Sequence, residues 1–210
     1  MARKGTLDRE QITEAALSLL DEVGLAGLST RKLAARLGIS SPTLYWHVRD
    51  KGQLLDLLAE AVCADAFEID ETLPWRAQLA SGLRQFRALL LRHRDAAALL
   101  RERPPIGPHR LGHIETTARI LRGAGFSADE TAGIARLLAA HVLASVEQLP
   151  PVSENPVAAT ETIAAAIDPE VHPNLYGLGP AFARLSTEDL FELGIDVVLD
   201  GLEHRRRKHS

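Results

Sequence analysis

Residues 28–48 read LSTRKLAARLGISSPTLYWHV, and this stretch decides the fold. Ser29 is a residue type that caps helices, and Leu33, Ala34 and Leu37 then recur at helical spacing, which predicts a short helix over Thr30–Leu37. Gly38 closes it, because glycine takes the left-handed backbone that a helix C-terminus needs. Ser40 or Ser41 caps a second helix, about Ser41–His47, with Pro42 at the first position, where a missing N–H costs nothing. Two short helices around Gly38-Ile39-Ser40-Ser41 make a helix-turn-helix, with Leu33, Ala34, Leu37 and Leu44 facing Leu19 and Leu20 of a preceding helix. The outward side of the second helix carries Thr43, Tyr45, Trp46 and His47. A structural helix has no use for Tyr45-Trp46 beside a polar face at a tight turn. A helix that reads DNA does: a threonine hydroxyl reaches base edges, while tyrosine and histidine reach phosphates. Arg31 can grip a guanine edge with two parallel hydrogen bonds. Lys51, with the backbone amides that open the next helix, can hold a phosphate.

Outward from this stretch the apolar positions stay at helical spacing. Ile12, Ala16, Leu19, Leu20 and Val23 form one stripe that Gly24 ends. Asp50-Lys51-Gly52-Gln53 opens a helix through Leu54, Leu58 and Val62, and Pro74-Trp75 opens another to about His93. Three prolines between Arg103 and Pro108 break the pattern. A helix from about His109 to Arg122 ends at Gly123–Gly125, and the capping box Ser127-Ala128-Asp129-Glu130 starts one to about Gln148. Residues 149–180 read as a long Pro/Gly-rich loop with one short helix near Val157–Ile167. In the last helix, about Thr187–Arg206, Leu190, Gly194, Val197 and Gly201 form one stripe, and Phe191, Ile195, Val198 and Leu202 the stripe beside it. Interior glycines on so wide an apolar face let another backbone approach closely, within the chain or from a second subunit. No period-2 run appears. The expected class is all-α, with a DNA-reading head over residues 1–52 and a helical body over 53–210.

Net charge is −4, which taken alone argues against a nucleic-acid partner. The average conceals a division. Residues 1–52 hold eight Lys/Arg and six Asp/Glu, whereas residues 53–204 hold twelve Arg, no Lys and twenty-two acids. A basic head on an acidic body assigns two jobs to one chain. The single cysteine, Cys63, excludes an internal disulfide and a cysteine-based zinc site; it reads as a small core residue of a reducing, cytoplasmic compartment. No run approaches the roughly 18 apolar residues of a membrane helix, and the N-terminus is not a signal peptide. Catalysis finds little to use: His141 and Glu147 could act as an acid–base pair, but no nucleophile, phosphate loop or metal triad accompanies them. His109 and His113, at i and i+4, have no third ligand nearby, so neither a metal nor another cofactor is expected. His204 to His209 reads as a solvated cationic end to the last helix.

The quoted stretch, with Trp75, Phe86-Arg87, His93-Arg94-Asp95, Arg103-Pro104, Gly125-Phe126-Ser127 and Gly201-Leu202-Glu203 in order and spacing, resembles the tetracycline-repressor family of one-component regulators. The resemblance implies a homodimer that represses transcription on a palindromic operator and is released by a small-molecule effector. The alternative is a ligand-independent DNA-binding regulator with a purely structural core. Carried over by position, DNA contacts fall on Thr30, Arg31, Pro42, Thr43, Tyr45, Trp46, His47 and Lys51, with Ser41 where the family's tetracycline-binding branch reads a base through glutamine. Serine cannot make that bidentate contact, so the operator differs there. The resemblance places the dimer contact on the 127–148 and 187–206 helices, with Leu190, Gly194, Val197, Val198 and Gly201 as the close-approach residues. It places the effector among Phe67, Phe86, Leu100, Arg103, Pro104, Thr117, Leu137 and His141, the last of which reads equally as a satisfied core histidine. The drug-gripping asparagine and histidine of that branch are replaced by Gly82 and Phe67, and its metal-ligating histidine by Leu99 or Leu100. A flatter, less charged effector than magnesium-tetracycline is therefore expected.

Overall fold

The computed structural model describes residues 8–147, 165–182 and 184–209, and all regular structure among them is helical. Helices α1 (Arg9–Gly27), α2 (Thr30–Arg36), α3 (Ser41–Tyr45), α4 (Lys51–Val62), α5 (Trp75–Leu91), α6 (Ala96–Glu102), α7 (Pro108–Gly123) and α8 (Ala128–Val146) succeed one another. After them come α9 (Pro173–Phe182) and α10 (Thr187–His209). The all-α class stands. The chain divides into two compact units, Met1–Ala144 and Ser145–Ser210.

In the first unit α1, α2 and α3 gather around Leu20, Leu33 and Leu44, each almost wholly buried. Burial of such a side chain stabilises by about 1.5–3 kcal/mol, which is what holds three short helices in place. Capping fixes their ends. Ser29 Oγ accepts from Lys32 N at 3.2 Å, and Ser40 Oγ from Thr43 N at 3.3 Å. Gly38, at φ 66°, ends α2 in a Schellman turn, with Ile39 N donating to Ala34 O at 3.1 Å and Gly38 N to Ala35 O at 3.2 Å. Helix α4 packs on α1 and also on α6 and α7, so residues 1–52 do not stand apart from the helices of the body. Helix α5 packs on α6 and α7.

Three details differ from the sequence expectation. Helix α5 stops at Leu91, and α6 begins after Asp95, whose left-handed backbone (φ 58°) separates the two. The 149–180 segment contains most of α9, whose Leu175, Tyr176 and Leu178 are exposed. Most of the short helix expected near Val157–Ile167 lies outside the described residues. In α10 the buried stripe is Phe191, Ile195, Leu199 and Leu202, with Leu199 rather than Val198 as its third member.

Candidate nucleic-acid interface and effector cavity

The head presents α3 outward. Leu44 and Val48 are buried beneath it, while Pro42, Thr43, His47 and Lys51 are exposed and Thr30 and Ser41 half-buried. Tyr45 is 49% exposed and Trp46 88%. A tryptophan this bare gains nothing from the fold that carries it, which marks a contact surface. The basic residues divide by role. Lys32 Nζ donates to Gly27 O at 2.8 Å, and Arg36 bonds Ser18 and Glu22, so both hold α2 to α1. No ion pair among the described residues engages Arg31 or Lys51. Asp50 caps α4 by accepting from Gln53 N at 2.8 Å, and Lys51 stands at the first helical position.

Three polar joints tie this head, and the helix α4 that follows it, to the helices behind them. Asp21 of α1 accepts from Arg94 N at 2.9 Å and lies 3.0 Å from His93 Nδ1, while Asp95 accepts from Leu25 N at 2.8 Å. The second contact needs the kink of α1 at Gly24 (φ 68°), where a Cβ would come within 2.8 Å of the Asp95 carboxylate. Asp56 of α4 holds Arg103 through two bonds, 2.7 Å to Nε and 2.9 Å to Nη2. Glu60, one turn further along α4, accepts from His109 N at 2.9 Å and Arg110 N at 3.3 Å, capping the first turn of α7. That cap requires a bare backbone at Gly107, where a Cβ would overlap the Glu60 carboxyl. Carboxylates on α1 and α4 therefore grip backbone and guanidinium groups of the body directly.

Behind these joints lies a cavity of about 180 Å³ walled by residues from α5, α6, α7, α8 and the segments that leave α4 and α6. Of the expected effector residues it gathers Phe67, Phe86, Leu100 and Thr117. Four others are placed elsewhere. Arg103 is committed to Asp56. Pro104 lines a separate, more polar cleft with Arg9, His47, Asp56 and Glu60. Leu137 is 54% exposed, and Leu138, at 1%, faces the cavity instead. His141 is half-buried on α8 and does not line the cavity. Leu100, not Leu99, faces inward, and Gly82 sits against Phe67 with 3.6 Å between a built Cβ and the ring.

Sequence reasoning missed Cys63, Arg110, His113, Ile114, Thr116, Ala135, Ala139 and Leu143. A signal existed: Arg110, His113 and Ile114 stand seven, four and three positions before Thr117, on the same face of α7. His113 is the least expected. Its ring stacks on Phe67 at 4.0 Å between centroids and meets Phe86 edge-on at 6.1 Å. Nε2 lies 2.9 Å from Asp65 O, whereas Nδ1 is buried with no hydrogen-bond partner. Burial among these rings pushes the imidazole pKa down, so the ring is neutral. Burial also pushes the Cys63 thiol up to about 12, which keeps it protonated and unreactive.

A helix-turn-helix head wired by carboxylates to an apolar cavity defines a DNA-binding regulator that answers to a small molecule. Residues 12–58 match the family of bacterial regulatory proteins of the tetR type, and residues 70–206 match the tetracyclin repressor-like C-terminal domain. The chain is 35% identical to the class A tetracycline repressor protein from transposon 1721 of Escherichia coli, over 95% of this chain and 92% of that one. It superposes on apo ActR from Streptomyces coelicolor with a TM-score of 0.87 at 30% identity, over the whole of both chains. On ActR in complex with actinorhodin the TM-score is 0.83, again at 30% identity, over 94% and 96% of the two chains. The chain belongs to the tetracycline-repressor family of DNA-binding transcriptional regulators.

Proposed function

We propose that two copies of this chain bind a palindromic operator in the cytoplasm and leave it when an apolar effector enters the cavity. In that reading Arg31, Ser41 and Thr43 face base edges, and Thr30, Pro42, Tyr45, Trp46, His47 and Lys51 contact the backbone or position the helix. The two heads sit in successive major grooves about 34–36 Å apart. The observation that carries the reading is the set of polar joints between the head and the walls of the cavity. Glu60 caps α7, which contributes His113, Ile114, Thr116 and Thr117 to the cavity wall, and the same α4 begins at Lys51. A ligand that moves α7 therefore acts on the element that positions the phosphate contact. It shifts the population by its difference in affinity for the two arrangements, and by no more than that.

The second copy fits the outer face of α10. Leu190, Leu193 and Val197 are exposed there, and nothing lies within 4 Å of a Cβ built at Gly201. Gly194 and Val198 flank this face half-buried. An apolar face with an open glycine supports a close helix–helix contact between subunits. The effector is not magnesium-tetracycline, since Phe67, Gly82 and Leu100 stand where that ligand and its metal need polar and imidazole groups. ActR, similar over nearly its whole length, has been solved with actinorhodin bound.

Footprinting on the DNA that flanks the chain's own gene tests the reading. The expected result is a protected palindrome bound by a dimer, with the protection removed by at least one compound that also raises the melting temperature. Protection without two-fold symmetry would overturn the operator assignment. Quenching of tetracycline fluorescence at micromolar protein with magnesium would overturn the effector assignment.

A further inference from the structure

We propose that the cavity selects flat, uncharged aromatic ligands that carry a hydroxyl group, and that His113 Nδ1 is the atom that selects them by accepting the hydroxyl proton. This deepens the effector reading and rests on it. The tautomer is set by the partner of the other nitrogen. Nε2 faces the carbonyl oxygen of Asp65 at 2.9 Å, and a carbonyl can only accept, so Nε2 carries the proton. In a neutral ring Nδ1 is then a bare lone pair.

That lone pair is already dry. His113 is 9% exposed, and its buried Nδ1 has no hydrogen-bond partner among the described residues. An acceptor stranded in this way bears its desolvation cost before any ligand arrives. A donor that reaches it gains a hydrogen bond with nothing further lost on the protein side. Phe67, stacked on the imidazole face, and Phe86, at its edge, give the surroundings the shape and polarity of an aromatic slot.

The other polar groups of the cavity point the same way. The single hydroxyl proton of Thr116 goes to Gly112 O at 2.9 Å, and that of Thr117 to His113 O at 3.1 Å. Both oxygens can therefore only accept from a ligand. Arg110, the one cation in the wall, spends three of its five N–H groups on the carbonyls of Arg103, Pro104 and Leu100, and its charge is already met by the nearby Glu60 and Asp56 carboxylates. The cavity is thus rich in acceptors and poor in donors. A ligand hydroxyl is matched there; a ligand carboxylate enters a dry site with little to receive it.

Three ring-matched probes test this: 2-hydroxyanthraquinone, its 2-methoxy ether and anthraquinone-2-carboxylate. Their affinities are measured by titration calorimetry for the unmodified chain and for His113→Phe, which keeps a ring against Phe67 and removes the acceptor. For the unmodified protein the hydroxyl compound should bind roughly tenfold tighter than the ether, with the carboxylate weakest. In His113→Phe the ratio of hydroxyl to ether should fall to about one, with ether affinity retained. A hydroxyl compound no better than its ether in the unmodified protein overturns the proposal without recourse to the variant. A preference that survives His113→Phe, or absence of binding by all three probes, overturns it as well. Operator displacement is measured separately. Probes that release DNA without the hydroxyl preference leave the repressor reading intact and remove the role of His113. Probes with the preference that never release DNA do the reverse.

Discussion

The reading head and the effector cavity lie in one compact unit and are built on opposite plans. Every residue proposed to touch DNA comes from the span Thr30–Lys51, and each is aimed by a local device: the Ser29 cap, the Gly38 turn, the Ser40 cap with Pro42 behind it. The cavity takes its walls from four helices and two connecting segments spread over some eighty residues, and none is aimed by its immediate neighbours. A site made of local devices tolerates change in its exposed side chains without loss of fold. A site made of packed walls does not separate recognition from stability.

The strongest way to break this contrast is at the head. Tyr45→Ala or Arg31→Ala should lower operator affinity by about a hundredfold or more, because a lost contact of about 1–3 kcal/mol counts twice in the proposed dimer. The melting temperature should stay near that of the parent, since both side chains are exposed. Electrophoretic mobility shift with calorimetry on the same preparations reads both quantities; retained affinity would remove the head from DNA.

Next in size is the wall. Leu138→Ala should cost about 2–5 kcal/mol of stability in urea unfolding, and Leu137→Ala, one residue away, well under half of that. Equal losses would mean that α8 faces the cavity in another register. The joint between the two regions comes third. Gly107→Ala drives a methyl group into the Glu60 carboxyl and takes the cap from α7. It should cost about 1–3 kcal/mol and blunt effector release more than it weakens DNA binding, as measured by operator displacement at saturating ligand.

Smaller still is the phosphate term. Lys51→Ala should weaken binding to every sequence alike and reduce the slope of log K against log salt by about one per head. The smallest effect is one of pH. An unfolded chain protonates the His113 imidazole near its ordinary value of about 6.5, while burial holds the folded ring neutral to lower pH. The unfolded state therefore binds the proton first, and stability should fall as pH drops below about 6.5. The fall ends once the folded ring is protonated too. His113→Phe should remove this part of the pH dependence in thermal melts.

Legibility in the sequence divides along the same line. The head could be read almost residue by residue, since caps, turn and exposed aromatics are encoded within a few positions of one another. Helix α6 escaped notice because its separation from α5 depends on Asp95 in a left-handed conformation, held there beside Leu25 N, seventy positions away in the chain. Arg103 looked like a pocket residue because nothing nearby in sequence announces Asp56. Leu137 and Leu138 are separable in the sequence itself, because the stripe Thr131, Ile134, Leu138, Val142 puts Leu138 on the buried face of α8. In the sequence His113 pairs visibly only with His109; its surroundings in the fold, Phe67, Phe86 and the Asp65 carbonyl, come from positions some thirty to fifty residues earlier. Local chemistry is written locally, and a cavity is not.

The cap that Glu60 places on α7 bears on how such a regulator changes its vocabulary. The carboxyl binds main-chain amides, which every residue type but proline supplies, so the side chains of α7 facing the cavity are free to vary while the linkage persists. New ligand preferences can then accumulate on one face of a helix whose anchorage is indifferent to them. Retuning this chain as a sensor reduces to redrawing the wall around His113, with Glu60 and Gly107 left as they are.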